Sequence, residues 1–243
     1  MKKTLLYTCC LLLLLSSCSG TQEPAAGLLW KITTTDGREA FLFGTMHEYP
    51  SDQIAISDDA MAALETCSVL ATELNLRDKE DQALFRKHNK FQTGAKTHQV
   101  LLNRYGASLK SMEGTLMQVA DRHQIRITGL ETAMEVLGVL EQIPLPVEGL
   151  TDEQILAQAE RLIELYKGGE IDVVANEMLD KELGPDIRNL IVDQRNLNWL
   201  DDIENLIRHE RAFIAVGMGH LGGEKGLISL LRQKGYRVEQ FRN

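Results

Sequence analysis

Two short apolar runs far apart in the chain close on the same four-residue pattern. Ala40-Phe41-Leu42-Phe43 is followed by Gly44-Thr45-Met46-His47, and Phe213-Ile214-Ala215-Val216 by Gly217-Met218-Gly219-His220. An apolar run of this length ended by Gly reads as a buried strand breaking into a loop. In open α/β sheets, the loops beyond strand carboxyl ends are where ligands bind. Two imidazoles carried this way would meet at one rim of one sheet, which is the beginning of a metal site.

The remaining patterns agree with such a sheet. Leu28 to Thr34 and Arg38 to Phe43 flank Thr35-Asp36-Gly37, an Asp-Gly turn signal, and predict a hairpin. Ser57 resembles an N-cap for a helix through Leu64, and Ser68 to Thr72 is a strand that ends at Glu73. Arg77 to Leu102 is polar and helical. Leu116 to His123 is an amphipathic helix feeding the strand Ile125–Thr128, closed by Gly129, and Glu131 to Ile143 is a helix stopped before Pro144 and Pro146. Thr151-Asp152-Glu153 opens a long amphipathic helix ended by Gly168-Gly169; further helices cover Ile171–Leu179 and about Asp186–His209. A strand over Arg211–Val216, a helix over Glu224–Lys234 and a strand over Tyr236–Phe241 complete the chain. This order predicts an α/β domain over residues 28–243: a central, mostly parallel sheet with flanking helices, an N-terminal β-hairpin and a helical insertion in the middle.

The N-terminus stands apart. Lys2 and Lys3 precede the apolar stretch Leu5–Leu15, which is too short to span a bilayer comfortably, so residues 1–17 read as a signal peptide. Leu15-Ser16-Ser17-Cys18 resembles the bacterial lipobox, which makes Cys18 the diacylated first residue of the mature chain and residues 18–27 a short polar tether. Ordinary cleavage, or an uncleaved anchor with Cys18 incidental, is the alternative. The expected location is the bacterial cell envelope, lipid-anchored to a membrane and facing the periplasm or exterior. A formal charge of −9 gives no electrostatic footprint for nucleic acid, so attachment to a membrane depends on lipid chains at Cys18. Cys9 and Cys10 leave with the leader, and the apolar neighbours of Cys67 mark it as a small buried hydrophobe.

Neutral imidazole suits zinc, manganese, iron or cobalt, so His47 and His220 are candidate ligands; the plainer reading is that each caps a strand. A divalent site also wants carboxylate. Glu73 and Glu131 each follow an apolar strand, where an unpaired charge is costly; otherwise Glu73 is an exposed strand end and Glu131 a first-turn helix acid. Arg195, in Gln194-Arg195-Asn196, suits a substrate carboxylate or a developing oxyanion, or else pairs with an acid such as Glu131. His88, His98, His123 and His209 sit among polar residues and read as solvated. Nucleotide-binding and serine-hydrolase motifs have no match.

Five segments taken in order resemble the TraB/GumN family, which includes the Tiki metalloproteases: Phe41–His47, Leu70–Leu74, Gly129–Thr132, Gln194–Asn196 and Ala215–Leu221, continuing to Gly235–Glu239. The resemblance implies an α/β core similar to the erythromycin-esterase and ChaN proteins. It implies a divalent metal (Mn, Co or Zn) held by His47, Glu73 and His220, with Glu131 and Arg195 at further polar positions of the pattern. In the Tiki branch the implied activity is manganese- or cobalt-dependent peptide hydrolysis; for GumN-like members no substrate is implied. The chain departs from the pattern in a short region between Glu73 and Gly129 and in Glu113, where Asp is more usual. The expectation is a membrane-anchored metal-dependent hydrolase of a peptide or small-molecule substrate. Glu73 or Glu131 would shuttle the proton and Arg195 would face the oxyanion. The competing expectations are a non-catalytic, ChaN-like lipoprotein that binds a metal or small ligand, and an envelope scaffold whose site has decayed.

Overall fold

The computed structural model describes residues 28–87, 92–143 and 149–241. The leader expected at residues 1–17, the tether with Cys18, His88 and the helix stop at Pro144 and Pro146 lie outside the described residues. The N-terminal half runs β1 (Leu29–Thr33), β2 (Glu39–Thr45), β3 (Tyr49–Pro50), α1 (Asp58–Glu65), β4 (Val69–Leu74), α2 (Lys79–Lys87), α3 (Gln92–Tyr105), β5 (Leu109–Lys110), α4 (Met112–His123), β6 (Arg126–Glu131) and α5 (Ala133–Gln142). The C-terminal half runs α6 (Asp152–Gly168), α7 (Ile171–Val173), α8 (Leu179–Leu183), α9 (Pro185–Arg188), α10 (Gln194–His209), β7 (Ala212–Gly217), α11 (Leu227–Gln233) and β8 (Arg237–Gln240).

Six strands form one sheet in the order β6-β4-β7-β2-β1-β8. β6, β4, β7 and β2 are mutually parallel, and β1 runs antiparallel to both of its neighbours. The carboxyl ends of the four parallel strands therefore share one edge. β1 and β2 make the expected hairpin, with Leu29 opposite Phe43 and Thr33 opposite Glu39. Its turn needs Gly37, whose φ of 84° lies in the left-handed region. Every residue of β7 from Ala212 to Val216 is buried, the mark of a strand covered on both faces. The α1–α4 and α10–α11 pairs supply that cover. Phe43 and Phe213 pack across β2 and β7 with ring centroids 5.8 Å apart.

The long helix of the insertion begins and ends where the sequence indicates. Thr151 and Gln154 form a capping box, and Gly169 closes α6 in the left-handed conformation at φ 70°. Three features differ from the sequence reading. The helices expected over Ile171–Leu179 and Asp186–His209 each contain a π-turn, Val174–Met178 and Asn189–Asp193, and the second directly precedes Arg195. β3 and β5 add a two-residue ladder, Tyr49 against Lys110. Gly129 does not close β6, which runs on to Glu131. A Cβ there would lie 2.8 Å from the Glu131 carbonyl oxygen and 3.0 Å from the Asn75 nitrogen, so glycine answers a close backbone approach within the sheet. Glu131 is thus the last residue of a strand, and Thr132 and Glu135 cap the helix after it.

Among the described residues no helix is long and apolar enough to cross a membrane. Cys67 is buried and free, and burial pushes its thiol up to about 11, which leaves it protonated and inert.

Candidate functional site

The parallel sheet delivers four of the sequence-identified residues to its carboxyl edge. His47 lies two residues past β2, Glu73 near the end of β4, Glu131 at the end of β6, and His220 in a 3₁₀ turn, Met218–His220, directly after β7. Arg195 comes from the first turn of α10.

The β2 loop is fixed from beneath. Tyr166 of α6 donates its hydroxyl to the Gly44 carbonyl at 3.0 Å, and Thr45 donates to Glu113 Oε1 at 2.6 Å. His47 Nδ1 meets the same Glu113 oxygen at 2.9 Å. Glu113 is buried in the first turn of α4, where the helix N-terminus favours its charge. The β7 loop is fixed by an amide. The side-chain nitrogen of Asn196 donates to the carbonyls of His220 and Lys225 at 3.1 and 2.9 Å. Its Oδ1 is thereby left to accept from His220 Nδ1 at 2.7 Å. This arrangement assigns the Nδ1 proton of His220 and leaves a lone pair on Nε2. The Trp199 ring packs on the imidazole with centroids 4.6 Å apart.

Gly217 is the point on which these groups converge. A Cβ placed there would lie 3.2 Å from Glu73 Oε1, 3.7 Å from His47 Nε2 and 3.8 Å from His220 Cδ2. Glu73 Oε1 accepts from the Gly217 N–H at 2.7 Å and lies 3.7 Å from His220 Nε2. Its Oε2 accepts from Arg195 Nη2 at 2.7 Å. Arg195 Nε donates to both oxygens of Glu131 at 3.1 Å, with a further short contact from Nη2. Its Nη1 donates to the Ile191 carbonyl at 3.0 Å and lies 3.4 Å from His220 Nε2. The guanidinium carbon stacks 4.7 Å from the Trp199 ring centre, a cation–π contact.

Charge is divided unevenly over this cluster. Burial opposes ionisation of Glu73, yet His220, His47 and Arg195 hold its carboxyl well below the usual range. Burial raises Glu131, Arg195 lowers it and the Glu73 charge raises it again; the net direction is upward. Burial brings His220 down to about 4, assisted by the nearby Arg195, so it is neutral. For His47, packing around the inner edge of the ring disfavours charge, but Glu113 and Glu73 override it and push the imidazole up to about 9. The His47 side chain is 68% exposed, so solvent screens that attraction and its contribution to stability is modest.

Metal ligation can be weighed on this geometry. The donor set of two imidazole nitrogens and a carboxylate oxygen suits a divalent ion. Each ring has its Nδ1 on a protein acceptor and its Nε2 unclaimed by one, as in metal-ligating histidines. The residue types and their bracing therefore fit. Their spacing is looser: among the described residues no group of three or more His, Cys, Asp or Glu stands ready to hold an ion. Arg195 engages Glu73 Oε2 and Glu131 and lies close to His220 Nε2. The ion pair with Glu131 expected as the plainer role of Arg195 is present, and it extends to Glu73.

Glu113 and Asn196 brace the two imidazoles and were not singled out for this from sequence. Glu113 carried the signals of an acid at a helix start and of a family position where Asp is more usual, and Asn196 that of its place beside Arg195 in the Gln194–Asn196 segment. His98, His123 and His209 are exposed as expected; His98 pairs with Glu48, and His123 lies 3.4 Å from Glu65.

The profile of the TraB/PrgY/gumN family matches the chain over residues 28–111 and 97–240, nearly the whole of the described domain. No curated protein matches the sequence.

Proposed function

The chain belongs to the TraB/PrgY/gumN family, and on that premise we propose that it is a lipid-anchored, metal-dependent hydrolase of peptide or other acyl bonds. One observation carries the reading: His47 Nε2, His220 and Glu73 Oε1 surround a position that has no side chain, Gly217. His47, His220 and Glu73 would hold a divalent ion, Mn, Co or Zn. Such an ion, when bound, supplies Lewis acidity and a water of lowered pKa.

The chain's own groups do the rest. Glu73, kept ionised, presents the negative oxygen. Glu131, whose carboxyl is shifted upward beside it, takes and returns a proton; two carboxylates driven apart in this way divide ionic and acid–base roles. Arg195 holds both carboxylates in register and neutralises one charge, and its Nη1 edge toward His220 is positioned for a developing oxyanion. Glu113 and Asn196 fix ring orientation, so that Nε2 of each imidazole stays directed at the centre. Cys18 would tie the domain to its membrane.

Metal analysis of the purified protein after chelation and refilling, followed by a peptide-library cleavage assay, tests this. One ion per chain and metal-restored cleavage are expected. The reading fails if the wild-type protein retains no Mn, Co or Zn, or if His47→Ala and His220→Ala keep full stoichiometry. A second reading, a non-catalytic binder of a metal or small ligand, is favoured by Arg195 already engaging both Glu73 and Glu131. Ion retention without cleavage under any metal would establish it. Cys18→Ser is expected to stay unlabelled by lipid precursors, and normal labelling would refute the anchor.

A further inference from the structure

β1 enters the sheet beside the site. The Leu28 carbonyl, one residue before β1, accepts from the Gly44 N–H at 2.8 Å. Leu28 is buried against Gly44: a Cβ on that glycine would stand 3.2 Å from Leu28 Cβ and 2.7 Å from Leu221 Cδ1. Leu221 follows His220 directly. The chain arriving from the N-terminus therefore meets the domain beside the His47 loop, on the side away from β7, at the carboxyl edge. Cys18 precedes Leu28 by only ten peptide links, a reach of at most about 35 Å at full extension. β2 is itself about 23 Å long at the usual strand rise. Turning the amino edge toward the anchoring membrane would consume most of that reach.

The same edge carries exposed apolar side chains. Leu76, 44% exposed, lies two residues past β4; Met134, 62% exposed, lies three past Glu131; Leu197, 49% exposed, lies two past Arg195. The Ala133 N–H donates to Asp81 at 3.0 Å, which brings the first turns of α2 and α5 together and places Leu76 and Met134 on neighbouring connections. The amino edge differs: Arg38, Arg126, Arg211 and His209 border the starts of β2, β6 and β7, and the other exposed large hydrophobics among the described residues, Leu102, Leu150 and Leu183, lie on or beside α3, α6 and α8.

From the entry of β1 at the site and the apolar side chains beyond Glu73, Glu131 and Arg195, we infer that the site-bearing edge lies against the bilayer that holds the anchor. Leu76, Met134 and Leu197 touch the headgroup layer, and the substrates within reach are those attached to the same membrane. The inference rests on the lipid anchor proposed at Cys18 and is independent of the chemistry proposed for the site. Because acids such as Glu48, Asp81 and Glu135 share this edge, anionic lipid is not what draws it to the surface; the tether and the apolar contacts are.

The test uses the full, acylated protein in phosphatidylcholine vesicles containing a headgroup-nitroxide lipid. A fluorophore is attached at Met134→Cys or Leu197→Cys on one edge, and at Arg38→Cys or His209→Cys on the other. Cys67 is buried with a raised thiol pKa and does not compete for the label. Quenching several-fold stronger at 134 and 197 than at 38 and 209 is expected. Equal quenching, or stronger quenching at 38 and 209, in protein that floats with the vesicles overturns the orientation and leaves the anchor standing. Failure to float removes the anchor and this inference together. Hydrolytic activity enters none of these readouts, so a failure of the proposed chemistry is scored separately.

Discussion

The two Gly-x-x-His loops carry the same residue to the same place and hold it by opposite means. His47 stands at the mouth of the site, braced by a carboxylate, and is largely open to solvent. His220 lies inside, braced by an amide that also ties down the loop around it, and is covered by Trp199. The charged brace favours imidazolium at His47, while the neutral brace, burial and a nearby guanidinium favour neutral imidazole at His220. A repeated motif thus yields one ring that is ready to accept a cation and one that must first lose a proton. The difference lies in residues contributed by other helices, not in the motif.

That contrast can be broken outright at Arg195, which supports the inner arm. Arg195→Met leaves two buried carboxylates without their partner and is expected to destabilise the fold by about 3–5 kcal/mol, read from urea unfolding. His220→Ala orphans the Asn196 carbonyl oxygen and opens a void beneath Trp199; a loss of about 2–4 kcal/mol is expected. His47→Ala, on the exposed arm, should cost no more than about 1 kcal/mol while abolishing metal retention equally. Equal destabilisation by the two histidine variants would erase the distinction between the arms.

Acidity sharpens it further, measured with chelator present. His220 is depressed from 6.5 to about 4, so between those values the unfolded chain binds the extra proton and stability falls as pH falls. His47 is raised from 6.5 to about 9, so its contribution is complete below 6.5 and is lost as pH rises through about 9. Unfolding curves should show the fall in stability between pH 6.5 and about 5 shrink in His220→Ala and the shallower fall between pH 6.5 and about 9 shrink in His47→Ala. The smallest effect belongs to Glu113→Gln, which keeps an acceptor for His47 but removes the charge. An NMR titration of that imidazole should return toward the ordinary value, and an unchanged titration would assign the shift to something other than Glu113.

Local signals made much of this legible in advance. Asp36-Gly37 marked the hairpin turn, Thr151 and Gly169 bounded α6, and the apolar runs ending at Gly44, Glu73 and Gly217 located the carboxyl edge because each change from apolar to polar coincides with a strand leaving the core. What stayed hidden was long-range. Glu113 looks like any first-turn acid until the fold buries it under His47, and Asn196 looks like an amphipathic-helix polar residue until it reaches the β7 loop. The π-turn before Arg195 adds a residue that sets where the guanidinium points, and no periodicity in that stretch announces it. Gly129 misled because a glycine within a strand and a glycine closing one look the same in sequence; the backbone contact with Asn75 distinguishes them.

The missing side chain at Gly217 has a last implication. Its φ of −51° and ψ of 138° are open to any residue, so alanine there would strain nothing in the main chain. Yet the added methyl would sit 3.2 Å from Glu73 Oε1, in the space the imidazoles enclose. One carbon atom would occupy the vessel and push Glu73 back by a few tenths of an ångström. Gly217→Ala is therefore expected to lose whatever the site binds while the fold stands, a twin with which to separate what the site does from what the rest of the molecule does.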